Sequence, residues 1–364
     1  MRTRRIDKPL AFLVAILVLG GTLIFSSAAF GLLARGASNI SSVAFNHLVL
    51  GVGVGLVALF ATSMINYTYW QRFAPYIFAL ALAATALVFV PHLGLEHGGG
   101  TRWIGIAGIT FQPSEVLKIA TIIMAAAYFS AMQARITSVS YGLGGLVAIL
   151  AAPAAILLLQ PDIGTLGVVA IAAIAVFLAA GARIRDLIML AVLGIAAIAF
   201  LSSIMPHVHD RVMTFFRPSN APQAEGYQIR QSLIAIGSGQ ILGRGFGQSI
   251  QKFTYLPEPM GDSIFAVIGE EFGFVGAVTL VGLFLAFALR ALTVSARAPD
   301  SFGALLGIGI STYLAAEAFI NIAAMLGVAP LTGIPLTFIS QGGSAILMSL
   351  ASVGILLNIS KKRV

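Results

Sequence analysis

Uninterrupted apolar stretches of about 18 or more residues recur along this chain, and each is long enough to cross the hydrocarbon core of a bilayer as a helix. They read as spans at 10–33, 46–64, 74–91, 113–131, 143–160, 164–180, 186–204, 262–289, 301–327 and 337–358. None shows the strict alternation of outer-membrane barrel strands. Charged residues make up only 9% of the chain, whereas a soluble domain carries roughly a quarter. So few charges cannot cover a water-facing surface, and lipid needs no such cover. The expectation is an all-α, polytopic membrane protein of about ten transmembrane helices, with 1–364 as one domain.

Orientation follows from the basic residues, which concentrate in short cytoplasmic loops. With the N-terminus inside, cytoplasmic segments hold Arg2, Arg4, Arg5, Lys8, Arg72, Arg135, Arg183, Arg185, Arg290, Arg297, Lys361, Lys362 and Arg363, while short external loops hold Arg35 and Arg102. An even span count returns the C-terminus to the cytoplasm. The start, MRTRRIDKP before an apolar run, resembles a signal peptide, but no small-x-small cleavage site follows and a retained first helix is expected. The net charge of +8 is spent on this loop asymmetry, so no nucleic-acid partner is implied. Zero cysteines exclude disulfides, thiolate metal sites and cysteine nucleophiles.

One sizeable segment lies outside the spans, 205–261, between the seventh and the eighth. On this orientation it is a long extracytoplasmic loop. Its stretch GYQIRQSLIAIGSG mixes apolar and polar residues at helical spacing, which predicts a helix lying along the membrane surface.

Ionisable residues inside a membrane are costly, and each is therefore a candidate site. They are Glu115 and Lys118 in span four, Asp162 between spans five and six, Asp262 opening span eight, Glu270 and Glu271 deeper in it, and Glu317 in span nine. Glu115, Lys118, Asp162 and Asp262 come from three separate regions yet share one depth, near the outer leaflet. A helical bundle can gather them around one cavity. Glu115 and Lys118, three apart on one helix face, read equally as a structural ion pair or as a pair that positions a catalytic neighbour. Asp162 in DIGT is either an N-cap or a working acid, and Asp262 after LPEPMG leaves the same choice open. Glu270 reads as a buried structural acid, Glu271 as facing another helix, and Glu317 has no partner identifiable from sequence.

Arg211, Arg217, Arg230, Arg244 and Lys252 approach Asp262 along the loop. Arginine forks suit phosphate and pyrophosphate oxygens, so a carboxylate base beside cations points to a lipid-linked, phosphorylated substrate. GSGQILGRGFGQS is Gly-rich but fits neither nucleotide-loop pattern. His92 with His97, and His207 with His209 and Asp210, lack a complete ligand set and read as solvated histidines.

Four blocks resemble the SEDS family, the shape, elongation, division and sporulation proteins of RodA and FtsW type. They are GGGTRWIGIAGITFQPSEVLK at 98–118, QPDIGT at 160–165, EGYQIRQSLIAIGSGQILGRGFGQSIQKFTYLPEPMGDSIFAVIGEEFGFVG at 225–276 and GVAPLTGIPLTFISQGGSA at 327–345. SLIAIGSG, QKFTYLPE and IGEE lean toward the FtsW-like branch. The chain departs from the family pattern at Ser263, where an aromatic is usual, and at Thr337, Gln341 and Ala345.

The resemblance implies a peptidoglycan glycosyltransferase in the bacterial cytoplasmic membrane that polymerises lipid II together with a class B penicillin-binding protein. The family's essential aspartate corresponds to Asp262, its QPSExxK pair to Glu115 and Lys118, and its DxGT aspartate to Asp162. Asp262 would act as general base on an acceptor sugar hydroxyl and undecaprenyl pyrophosphate would leave. Arg102, Arg211 and Lys252 are candidates for holding the pyrophosphate, with a divalent cation, Mg2+ or Mn2+, as a candidate cofactor whose ligands are unassigned. Two competing readings are a lipid II flippase and a non-catalytic scaffold for the penicillin-binding protein.

Overall fold

The computed structural model describes residues 6–34, 40–97, 100–106, 109–216 and 223–362. Among them, eight helices are long and apolar enough to cross a membrane: α1 (Lys8–Ala34), α2 (Ser41–Met64), α3 (Thr68–Phe89), α4 (Pro113–Ala131), α7 (Ile184–Ile204), α11 (Ile264–Ala296), α12 (Ser301–Met325) and α13 (Gly343–Ser360). Two more apolar helices, α5 (Leu143–Leu159) and α6 (Ile163–Ala179), have 17 residues each. At the helical rise that is about 26 Å, slightly under the thickness of a typical hydrocarbon core. The segment 205–261 is largely helical, with α8 (Pro206–Phe216), α9 (Gln223–Ser238) and the short α10 (Gln251–Thr254).

Helix starts follow local chemistry. Asp162 accepts a hydrogen bond from Thr165 N and caps α6, and Asp300 caps α12 through Gly303 N. Such caps satisfy amides that have no partner inside the helix. Pro113 opens α4, where its missing N–H costs nothing.

α4, α12 and α13 form the middle of the bundle and are mostly buried. Phe129 of α4 meets Phe177 of α6, and Phe287 of α11 meets Phe338. By contrast, the only buried residue of α7 is Asp186, so that helix gives nearly its whole surface to the surroundings.

Three smaller features depart from the sequence reading. A small antiparallel sheet, β1 (Gly94–His97), β2 (Gly100–Ile106) and β3 (Ile109–Phe111), stands between α3 and α4. The expected span 337–358 becomes helical only at Gly343, because residues 327–342 run as an irregular segment across the bundle end. Residues Phe45–Val54 within α2 are wound as a π-helix.

α11 carries the most consequential departure. Its 33 residues would reach about 50 Å if straight, well beyond the ~30 Å a bilayer needs. It is broken at Gly273, where φ is 64° and ψ is −161°. The loop after α9 fills the break: Arg244 N and Gly245 N donate to Glu270 O and Glu271 O, while Phe274 N and Val275 N donate to Gln240 O and Ile241 O. The backbones approach too closely for a side chain, since a Cβ on Gly243 would fall 2.1 Å from Glu271 O. Residues 274–296 alone are long enough to cross, at about 35 Å. Glu270 and Glu271 therefore lie in the segment before the break, not deep in a span as their sequence position suggested.

Candidate active site

At the bundle end where α4, α6 and α12 meet the 327–342 segment, a cavity of about 320 Å³ opens beside Asp262. Five carboxylates line it (Glu115, Asp162, Glu258, Asp262 and Glu317), with three cations (Arg102, Lys118 and Arg211). Acid thus exceeds base, which leaves the cavity receptive to a cation.

Asp262 sits just ahead of α11, and its main chain is held from several directions. Asn321 of α12 donates to Asp262 O (2.9 Å) and Ile334 O (2.8 Å). Ser340 Oγ donates to Gly261 O, and Gln341 N to Met260 O. Gln228 of α9 donates to Ser263 Oγ. The bonds to Asp262 O, Gly261 O and Met260 O fix the backbone and leave the carboxylate alone: among the described residues none hydrogen-bonds to it. Gly333, at φ 70°, passes so close that a Cβ there would lie 3.6 Å from Asp262 Oδ2. The Asp262 pKa is pushed up to about 6, chiefly by burial and further by Glu258, while Arg211 and Arg102 pull it down.

Lys118, one turn after Glu115, sits deeper in the cavity and is almost fully buried. Its ammonium lies 2.8 Å from Glu115 Oε2, contacts Glu317 Oε1 of α12 and rests over the Tyr313 ring. Thr337 Oγ1 lies 3.5 Å from the other oxygen of Glu317. Two carboxylates therefore share one lysine at the inner wall of the cavity.

The remaining expected residues divide. Asp162 caps α6 with one oxygen, lies 3.8 Å from Arg102 and keeps Oδ2 buried without a hydrogen-bond partner. Arg102, on β2, lines the cavity while donating to Gln160 O and Pro161 O, so it ties the sheet to the α5–α6 turn. Arg211, on α8, also lines the cavity. Lys252 does not: its ammonium is wholly buried against Glu271 and Ser27 of α1. The expectation that it meets pyrophosphate is thereby corrected. Arg244 lies 3.4 Å from Glu270, and Arg230 donates to Gly226 O. Arg217 and the side chains of His97 and His207 lie outside the described part.

Sequence reasoning missed two contributors, and both had a signal. Glu258 lies four residues before Asp262 in a proline-flanked turn. Asn321 follows Glu317 by four, hence on the same helix face, which marks a polar stripe on an otherwise apolar helix.

Could a divalent cation fit? Among the described residues no three histidines or carboxylates converge as a ligand set. Mg2+, however, commonly takes one or two carboxylates, keeps several waters and completes its shell with phosphate oxygens. Asp262 and Glu258 on an acid-rich wall meet that smaller demand.

Fold and site together define a multi-pass helical membrane protein with one acidic cavity near the end of its bundle. The family model for FtsW, RodA and SpoVE, described as a cell cycle protein, matches residues 8–364. The chain belongs to that family. Stage V sporulation protein E of Bacillus subtilis is 36% identical over 313 residues, 86% of each chain. A protein named probable peptidoglycan glycosyltransferase FtsW, from Geobacter sulfurreducens, is 37% identical over 316 residues, covering 87% of this chain and 84% of its own. Among solved structures, a chain from work on structural coordination of polymerization and crosslinking by a peptidoglycan synthase complex superposes with a TM-score of 0.81 at 25% identity, over 99% of this chain and 98% of the other. A variant of the rod shape determining protein RodA of Thermus thermophilus gives 0.73 at 25% identity, with the same coverage.

Proposed function

We infer that this chain is a peptidoglycan glycosyltransferase that polymerises lipid II, with Asp262 as general base. The observation that carries the reading is the Asp262 carboxylate, free of hydrogen bonds among the described residues while the backbone at 260–262 is pinned by Asn321, Ser340 and Gln341. A base raised to about 6 is mostly ionised at neutral pH and still basic enough to accept a proton in a transition state.

Asp262 takes the proton from the 4-hydroxyl of the acceptor's N-acetylglucosamine. The oxygen attacks the anomeric carbon of the growing strand, the bond from that carbon to pyrophosphate breaks, and undecaprenyl pyrophosphate leaves with inversion. Arg211 and Arg102, which line the cavity, would answer the departing charge. A divalent cation held by Asp262 and Glu258 would supply further charge neutralisation at the pyrophosphate.

The cavity end faces away from the cytoplasm, in the bacterial cytoplasmic membrane, with both termini inside. The reading of the basic loops supports this orientation. A class B penicillin-binding protein supplies the crosslinking partner, in line with the synthase complex to which this fold is similar.

Purified protein given labelled lipid II tests the reading. Glycan strands from the wild type and none from Asp262→Asn support it. Movement of lipid without polymer would favour a flippase, and neither activity would favour a scaffold.

A further inference from the structure

A second concavity, of about 510 Å³, runs along the surface between α1 and α11. Its lining is apolar except for Thr279. We propose that this groove holds the polyprenyl chain of the lipid-linked substrate whose headgroup occupies the Asp262 cavity. The proposal rests on the reading of the function given above.

Length is the first argument. On α1 the lining extends from Ile16 to Ile24, about 12 Å of helix; on α11 the part beyond the break extends from Gly276 to Leu283, about 10 Å. Both lengths fit within one leaflet, about half the hydrocarbon core. A partner's transmembrane helix would run along the full thickness, whereas a lipid chain entering from one surface needs only this much.

Position is the second. Ile339 lines the groove and Gln341, two residues on, lines the cavity; Asp262 lines the cavity and Ile268, six residues on, lines the groove. One wall therefore separates the two spaces. A chain leaving a headgroup at Asp262 crosses that wall and meets the groove at its outer end, beside the paired rings of Phe246 and Phe272.

Chemistry is the third. Nearby Glu271 is fully engaged by Ser27, Ser249 and Lys252, so its charge is already answered beside the apolar surface. Gly20 creates much of the open space: a Cβ there would meet no atom within 4 Å. A large side chain at that position fills the groove without disturbing α1.

The test uses full-length protein in lipid vesicles and a polyprenyl phosphate carrying a photoreactive group near the end of its chain. Crosslinks are expected in 16–24 and 272–283, competed by unlabelled polyprenyl phosphate. Gly20→Trp should reduce them and raise KM for long-chain substrate by about tenfold, as expected for the lost packing contacts of a displaced chain. With a short-chain substrate the variant should behave like wild type, and Gly194→Trp on exposed α7 should match wild type throughout. Crosslinking spread evenly over the spans, equal labelling by a photoreactive phospholipid, or equal effects of Gly20→Trp on both substrates would overturn the proposal. Because crosslinking needs no turnover, a labelled groove in a protein that makes no polymer rejects the enzymatic reading alone. Polymer without groove labelling rejects this inference alone.

Discussion

Among the described residues, two buried clusters pair acids with a lysine: one is packed between α1, α11 and the loop before it, and the other lines the Asp262 cavity. In the first, Glu270 and Glu271 lie just before the Gly273 break. Glu270 accepts from Ser249 Oγ and from the amides of Ile250 and Gln251, while Glu271 accepts from Ser27 and Lys252. Arg244 completes the balance, two acids against two cations. In the second, Glu115 and Glu317 share Lys118 alone, and one side of the group opens toward Asp262. Burying charge is costly in both. Where every charge is answered the cost is offset by fixing a fold, here the loop against α11 and α1. Where acid exceeds base beside an open space, the structure holds polarity in reserve for something that enters.

The strongest way to break this contrast is at the cavity itself. Asp262→Asn should lower polymerisation by about 10³-fold, the scale of lost general-base catalysis, while the protein still folds; near-wild-type glycan synthesis would remove Asp262 from the chemistry. Next comes a paired experiment on the two lysines. Lys118→Met should cut turnover per folded molecule by about 10²-fold, as for a misplaced reacting group. Lys252→Met should instead lower stability by about 3–5 kcal/mol through an uncompensated buried acid, with turnover per folded molecule unchanged. Thermal unfolding and active-fraction assays separate the two, and equal behaviour would erase the distinction.

A smaller effect is expected at Glu317. Glu317→Gln leaves Lys118 paired with Glu115, so turnover should fall by about tenfold, the lower end of what one hydrogen bond to a charged group is worth. The smallest is a displacement of the pH profile. Because the base must be ionised, kcat/KM should rise with pH to half its plateau near the raised Asp262 value of about 6. Arg211 pulls that value down, so Arg211→Gln should move the rise to higher pH. A profile that stays in place would mean that Arg211 does not act on Asp262 electrostatically.

Much of the architecture is legible in hydrophobic run length, because lipid exposure forces a simple pattern onto the sequence. The ionisable residues of the cavity are legible for the same reason: Glu115, Lys118 and Asp262 stand out against apolar neighbours. What is not legible depends on contacts distant in sequence. Glu317 meets Lys118 across 199 positions, and no local pattern announces that. Lys252 misleads because sequence nearness to Asp262 suggests a shared site, yet the turn through Glu258, at φ 44°, sends the two side chains to different surroundings. The break in α11 hides because an apolar segment with four scattered glycines reads as a continuous span, and nothing local singles out Gly273 among them.

That break divides α11 into two pieces bridged by the loop after α9. Bilayers differ in thickness, and a spanning helix answers by tilting at modest cost. A continuous rod would transmit such a tilt directly to Asp262. Here the loop after α9 splints the break, its amides bonded to Glu270 O and Glu271 O on one side and its carbonyls to Phe274 N and Val275 N on the other. A tilt of residues 274–296 is therefore shared with that loop, and only part of it reaches the carboxylate.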